Sequence, residues 1–237
     1  MKNLISVSGK KGSGKNLVAA IITDLTYDQA HWEVKSFADK LKYITCSLIG
    51  CTREQLEDRE FKEKELGEEW WYVKLDNKLI SVQEYIAYIK GTSYSFNEKD
   101  IIKLTPRKLL QLLGTECGRN IIHPNIWVNA LFADYKTFGE TKHFSNSTPK
   151  DNDYPNWIIT DTRFPNELEA IKKHNGLTIR INRDSVLRTG KVFDTDNHES
   201  ETALDNYQGF DYVIDNNGTI EELKEVVKDI LIKEHLI

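Results

Sequence analysis

The sequence has little of what defines several other protein classes. Its 237 residues hold six histidines without metal-ligand spacing, and three cysteines (Cys46, Cys51 and Cys117) without a C-x-x-C pair. This predicts buried free thiols and argues against a zinc site. No apolar run approaches the roughly 18 residues of a membrane helix, and the mean hydropathy is −0.52. We therefore expect no membrane partner.

Positive charge is also scarce. The formal net charge is −5 and the isoelectric point is about 5.8, with no basic stripe and no internal repeat. This balance argues against nucleic acid as a partner. No charged and apolar leader is recognised at the start, so we expect a cytoplasmic protein. No heptad seam is present, and a homodimer is left open.

The strongest positive signal is a glycine-rich turn between a strand and a helix. The apolar run Leu4–Ser8 leads into Gly9-Lys10-Lys11-Gly12-Ser13-Gly14-Lys15, which fits the G-x-x-x-x-G-K spacing of a phosphate-binding loop. Glycine lets the backbone turn sharply and press its N–H groups against phosphate oxygens. The predicted ATP-binding residues of this loop are Lys11, Gly12, Ser13, Gly14, Lys15 and Asn16.

Asn16 departs from the loop pattern. The residue after the lysine is normally Ser or Thr, whose hydroxyl ligates Mg²⁺. An amide oxygen can contact the metal or one of its waters, so we expect Asn16 to take part in a Mg²⁺ site.

Strands and helices alternate along the chain, which predicts an α/β fold with a doubly wound parallel sheet. We expect its core at about 1–37 and 156–237. The long, mainly helical stretch at about 38–155 is interpreted as an inserted substrate-binding lobe. It includes a hairpin over 70–82, a helix over 105–118 capped by Thr105, and a loop over 138–156.

A second constellation is Asp161-Thr162-Arg163, directly after the apolar strand 157–160. The carboxyl ends of parallel strands are where α/β sheets bind ligands. There Asp161 could hold Mg²⁺, directly or through water, and Arg163 could grip a phosphate. The alternative is that Asp161 only caps the helix that begins near Pro165.

Two further groups are open between function and ordinary surface. The polar stretch 183–205 carries Arg183 and Arg188 and is either a lid over the phosphates or a solvated loop. Arg107 and Gln111 share one helix face, which suits a phosphate or a base but is typical of a solvated face too. Trp127 either stacks on a base or fills the core.

Together these segments resemble the bacteriophage deoxynucleoside monophosphate kinases, within the wider nucleoside-monophosphate-kinase group of phosphate-loop enzymes. The matching segments, in family order, are Ser8–Lys15, Phe37–Lys42, Arg107–Glu116, Trp127-Val128, Asp161–Arg163, His198–Leu204 and Val213–Thr219. The resemblance implies ATP- and Mg²⁺-dependent phosphorylation of a deoxynucleoside monophosphate to the diphosphate, in the host cytoplasm if the chain is of phage origin.

The resemblance also implies roles for particular residues. Asp161 and Arg163 would lie between the two phosphates, Arg183 and Arg188 would belong to the lid, and Asn216 would lie near the adenine ring. The residues implied for the acceptor are Asp39, Lys42, Arg107, Gln111, Arg119 and Trp127.

Two other functions fit parts of the pattern. One is a phosphate-loop kinase of another small acceptor, such as dephospho-coenzyme A or phosphomevalonate. The other is a nucleotide-switched binding protein, although the guanine-reading Asn-Lys-x-Asp segment of a GTPase is missing.

Overall fold

In the computed structural model, which describes residues 2–76, 78–92, 97–137, 153–184 and 199–237, two sheets carry the eight strands found. The strands are β1 (Leu4–Gly9), β2 (Trp32–Lys35), β3 (Tyr72–Leu75), β4 (Lys78–Ser81), β5 (Ile101–Ile102), β6 (Asn156–Thr162), β7 (Leu177–Asn182) and β8 (Tyr212–Asp215).

The helices fall mainly between these strands. They are α1 (Lys15–Leu25), α2 (Asp39–Ile49), α3 (Arg53–Glu57), α4 (Arg59–Glu63), α5 (Val82–Lys90), α6 (Pro106–Gln111), α7 (Ile126–Phe132), α8 (Pro165–Lys173), α9 (Glu199–Thr202) and α10 (Ile220–Lys233). A π-helix over Leu112–Ile122 continues α6, and 3₁₀ turns cover Glu68–Trp70 and Glu98–Asp100.

The chain divides into two compact units, one of Met1–Asp39 with Asn125–Ile237 and one of Lys40–Pro124. The first unit contains a five-stranded sheet in the order β2-β6-β1-β7-β8, and every strand pair in it is parallel. Helices follow the strands, so the predicted doubly wound parallel sheet is confirmed. β1 lies at its centre, which places the glycine-rich turn in the middle of the carboxyl edge.

Helices cover both faces of this sheet. On one face, Ile5 and Val7 of β1 share an apolar cluster with residues of α1 and α10, among them Ile22 and Val227. On the other face α8 buries Leu168 and Ile171. Because β1 is covered on both faces, its residues from Leu4 to Ser8 are all buried, as a near-continuous apolar strand predicts.

Local sequence signals fix several helix ends. Thr105 caps α6 by accepting from the Lys108 amide, and Pro106 is the first helical residue. Thr219 and Glu222 form the capping box that starts α10. Each cap satisfies amides that the helix itself leaves without a partner.

The second unit contains a three-stranded antiparallel sheet in the order β4-β3-β5. The hairpin of β3 and β4 is confirmed, whereas the short strand β5 was not predicted from sequence. Leu56, Val73, Tyr85 and Leu109 are buried in this unit. Its core therefore combines the hairpin with short helices.

Two boundaries differ from the sequence-based expectation. The helix expected over 105–118 extends to Ile122 and changes from α to π at Leu112. The second unit ends at Pro124, although we expected the inserted lobe to reach about 155, because α7 packs beside α8. Of the loop expected over 138–156, residues 138–152 lie outside the described ranges. Among the helices described here, none has the length and hydrophobicity that a transmembrane span requires.

Candidate phosphate-binding site

The glycine-rich turn wraps around the ammonium group of Lys15. Its Nζ donates to the carbonyl oxygens of Gly9, at 2.7 Å, and Lys10, at 2.9 Å. The amide of Ser13 donates to the Lys10 carbonyl at 3.1 Å and closes the turn. Lys15 is also the first residue of α1, so a cation and a helix amino terminus lie together, which favours an anion.

Gly14 has a structural requirement that the motif alone does not show. Its φ is +102°, and a Cβ built on it would lie 2.5 Å from Nδ2 of Asn216. That Nδ2 donates to the Ser13 carbonyl at 2.9 Å, and Asn216 is 7% exposed. Asn216 thus supports the turn from the end of β8. An adenine contact by Asn216 stays a prediction, and its side-chain amide nitrogen already donates a hydrogen bond to the loop.

The predicted ATP-binding residues differ in their exposure to solvent. Lys11, Gly12 and Asn16 are exposed, whereas Ser13 is buried. Exposed Asn16 in the first turn of α1 leaves its amide available to a ligand above the loop.

Asp161 lies at the carboxyl end of β6, next to β1. One carboxylate oxygen accepts from the Phe37 amide at 2.8 Å, and the other accepts from the Ser36 hydroxyl at 2.5 Å and the Ala38 amide at 3.0 Å. Asp161 therefore holds the turn after β2.

The alternative interpretation of Asp161 as a cap for the helix near Pro165 is wrong. Buried Glu167 caps this helix instead, because its carboxylate accepts from the amides of Arg163 at 2.7 Å and Phe164 at 3.1 Å. Glu167 is a residue that sequence reasoning missed, because Phe164 is not one of the Ser, Thr, Asp or Asn residues that mark a capping box in a sequence. Glu167 thereby fixes the backbone that carries Arg163.

Arg163 is half-buried and forms an ion pair with Glu201 of α9. Glu201 is in the part of the polar stretch 183–205 that the structure describes. Arg183 follows β7 and is half-buried, whereas Arg188 lies outside the described residues, as does most of the predicted lid.

A second set of charges beside the loop was not predicted from sequence. Asp205 pairs with Lys10 at 2.8 Å and with Arg180 of β7 at 3.4 Å. Arg180 also donates to the hydroxyl of Ser8 in β1 at 3.3 Å. Because these residues are far apart in sequence, only the sheet register brings them together.

Four residues implied for the acceptor lie in the second unit. Lys42 pairs with Glu57 at 2.8 Å, and Arg107 pairs with Glu63. A Cβ on Gly114 would meet Leu41 at 2.9 Å, so α2, which carries Lys42, packs against the helix that carries Arg107. Gln111 ends α6, and Arg119 donates to the Pro124 carbonyl at 3.4 Å.

Glu57 forms ion pairs with three cations, Lys42, Arg53 and Lys62. Partial burial acts to raise its pKa, but the hydrogen bond and charge of Lys42, with the charges of Lys62 and Arg53, outweigh burial and leave the pKa lowered. Glu57 thus stays ionised, and an anionic ligand would compete with it for Lys42.

The other two implied acceptor residues lie in the first unit. Asp39 accepts from the Ser36 amide at 2.9 Å and begins α2. Trp127 is 7% exposed within α7. Its ring is packed in the core and is not presented for stacking on a base, so the core interpretation is the one that the structure supports.

The donor set fits a metal that is bound chiefly to phosphate. No group of three or more His, Cys, Asp or Glu residues suited to a metal ion occurs among the described residues. Asn16 offers an exposed amide oxygen, and the Asp161 carboxylate has one oxygen with a single backbone donor. Mg²⁺ in nucleotide sites characteristically keeps waters and takes one or two protein oxygens.

Comparisons with known proteins identify the family of this chain. A family model described as deoxynucleotide monophosphate kinase matches residues 60–227. The deoxynucleoside-5'-monophosphate kinase of Escherichia phage T5 is 28% identical over 232 residues, covering 86% of each chain. The deoxynucleotide monophosphate kinase of Escherichia phage RB69 is 26% identical, covering 96% of this chain and 99% of that one.

A protein of Acanthamoeba polyphaga mimivirus is 27% identical over 226 residues, covering 92% of this chain and 91% of its own. Among solved structures, TT1252 from Thermus thermophilus matches with a TM-score of 0.41 and 15% identity, covering 98% and 97% of the two chains. The family model alone spans more than half of this sequence. The chain belongs to the deoxynucleotide monophosphate kinase family, and it is a phosphotransferase.

Proposed function

We propose that the protein transfers the γ-phosphoryl group of ATP to a deoxynucleoside monophosphate and releases ADP and the deoxynucleoside diphosphate. The observation that carries this proposal is the closed glycine-rich turn, with Lys15 at its centre and Asp161 and Arg163 at the end of the neighbouring strand. Family membership supports a nucleotide acceptor.

The reaction needs no covalent intermediate. An oxygen of the acceptor phosphate attacks the γ-phosphorus in line, and the bond from that phosphorus to the β–γ bridging oxygen breaks. The acceptor phosphate is already anionic, so no strong general base is required. Catalysis then comes from positioning and from neutralising charge on the transferred group.

The residues of the turn would bind the ATP phosphates. Backbone amides at the start of α1, other than the Ser13 amide that closes the turn, would donate to the phosphates, and Lys15 would supply the central positive charge. Arg163, held by Glu167 at its backbone, supplies a second cation at the next strand end. We assign to these two cations the neutralisation of the negative charge that develops on the phosphoryl group during transfer.

Mg²⁺ is proposed as the cofactor, carried with ATP. When bound, it would neutralise phosphate charge and orient the transferred group. Asn16 would contact it or one of its waters, and Asp161 would do so through water, because the carboxylate is already engaged by the turn after β2.

The acceptor is proposed to use Lys42, Arg107, Gln111 and Arg119 of the second unit. Lys42 and Arg107 are cations whose present partners, Glu57 and Glu63, are exposed carboxylates on neighbouring short helices. The Glu57 and Glu63 side chains are 46% and 54% exposed, so water weakens both ion pairs, and a phosphate dianion can compete with these carboxylates for Lys42 and Arg107.

The decisive experiment is an ADP-release assay with MgATP against each deoxynucleoside monophosphate, with ribonucleotides and dephospho-coenzyme A as alternative acceptors. We expect turnover with at least one deoxynucleotide and its loss in Lys15→Met, with the fold unchanged by circular dichroism. Lys228→Met is the matched control, since it removes an exposed lysine of α10 that lies outside the proposed site. Turnover with dephospho-coenzyme A alone, or full turnover by Lys15→Met, would refute the proposal.

A further inference from the structure

Three charged side chains form a connected network beside the phosphate loop. Asp205 contacts Lys10 at 2.8 Å and Arg180 at 3.4 Å, and Arg180 reaches the Ser8 hydroxyl at 3.3 Å. Ser8 donates in turn to the Thr162 carbonyl at 2.8 Å. The network therefore links the loop to β7, β1 and β6 at the carboxyl edge of the sheet.

The two cations of this network have different surroundings. The Arg180 side chain is 13% exposed, and its guanidinium lies 5.8 Å from the centre of the Phe210 ring. It is thus fixed by packing, by a strand hydroxyl and by an aromatic ring. Lys10 lies in the turn itself, and its side chain is 29% exposed. Asp205 therefore joins a rigid cation to one on the loop.

The segment that carries Asp205 is anchored independently. Glu201, one helical turn earlier, is 11% exposed and pairs with Arg163. The Ala203 amide donates to the Glu199 carbonyl and the Asp205 amide to the Thr202 carbonyl, at 2.9 and 3.0 Å. Leu204, next to Asp205, is 3% exposed, so the Glu201–Arg163 pair and the burial of Leu204 hold this short helical segment without Lys10.

The backbone carbonyl of Lys10 connects this network to Lys15. The Lys10 carbonyl accepts from the Lys15 ammonium at 2.9 Å and from the Ser13 amide at 3.1 Å. Fixing the Lys10 side chain therefore also fixes the carbonyl that orients Lys15. We propose that Asp205 is a positioning residue that holds the phosphate loop in its ATP-binding shape through Lys10. This inference rests on the proposed function for its meaning, but its test does not need an acceptor.

The test is the dissociation constant of MgATP, measured by titration calorimetry on the full chain. We expect Asp205→Asn to raise it about tenfold, the scale of a partly buried charged hydrogen bond. In turnover assays the KM for ATP should rise while the KM for the acceptor stays within about twofold. Asp24→Asn is the matched control, since Asp24 pairs with Lys224 at 3.1 Å and is 70% exposed.

A double-mutant cycle separates positioning from a general structural role. In a Lys10→Met background, Asp205→Asn should change MgATP binding by less than twofold, because the side chain through which it acts is gone. Lys10→Met also breaks the same contact if Asp205→Asn fails to fold. An unchanged dissociation constant for Asp205→Asn, or an equal loss with and without Lys10, would overturn the inference. MgATP binding without transfer by the wild type would refute only the proposed function, and absence of binding would refute both.

Discussion

Replacement of Gly14 by alanine tests the close approach of Asn216 to the phosphate loop. Two costs are expected. Alanine at a φ of +102° is strained by roughly 1–2 kcal/mol. The new methyl group, 2.5 Å from Nδ2 of Asn216, must also displace an amide whose hydrogen bond to Ser13 contributes about 0.5–1.5 kcal/mol. The sum is roughly 1.5–3.5 kcal/mol.

The free-energy cost of Gly14→Ala can appear in two measured quantities, the free energy of unfolding and the affinity for MgATP. If the loop keeps its shape, Gly14→Ala lowers the free energy of unfolding; if the loop relaxes, MgATP binding weakens instead. Urea denaturation and titration calorimetry on the same variant measure both parts. Their sum is the quantity to compare with the estimate.

Gly50 provides a matched control because it has a φ of +68°, and among the described residues no atom lies within 4 Å of the position that a methyl group would take. Gly50→Ala should show the backbone strain alone, about 1–2 kcal/mol of unfolding free energy, with unchanged MgATP binding. In an Asn216→Ala background, Gly14→Ala should cost less than it does in the wild type. Equal total losses for Gly14→Ala and Gly50→Ala, or no relief from Asn216→Ala, would refute the argument.

Three further predictions concern stability and reactivity. Trp127→Ala should lower the free energy of unfolding by about 3–5 kcal/mol, measured by urea denaturation without ligand, because it empties a packed core position. Burial and the neighbouring Cys46 thiol raise the pKa of Cys51 to about 11. Alkylation of Cys51 near neutral pH, followed by mass spectrometry, should thus be roughly a hundredfold slower than in a cysteine peptide. Burial and the charge of Lys173 lower the pKa of His174. Because the folded protein favours neutral His174, the contribution of this residue to the free energy of unfolding is fully present above a pH of about 6.5 and is lost as the pH falls from there through the lowered pKa. His174→Phe should therefore reduce this loss of stability, measured by denaturation at several pH values.

The sequence predicted features that depend on short-range geometry. The glycine spacing identified the phosphate loop and Lys15, and the caps at Thr105 and Thr219 were readable because each lies within three residues of its partner. Alternation of apolar strands and amphipathic helices was sufficient for the parallel α/β sheet.

Some elements were misread where local signals were weak. A two-residue strand such as β5 carries no periodicity, and the change from α to π at Leu112 leaves the same apolar pattern in the sequence. Trp127 was ambiguous because aromatic residues are typical of both cores and base-stacking sites. Only its burial distinguishes the two.

Residue spacing along the chain was enough to establish the phosphate loop and the class of the sheet. Which side chains support that loop depends instead on how the chain folds in three dimensions. Asn216 binds Ser13 across 203 positions, Asp161 holds a turn more than 120 positions away, and Lys10 meets Asp205 across 195. Such partners are chosen by strand order and register, which bring distant strand ends to one edge and leave no local pattern in the sequence.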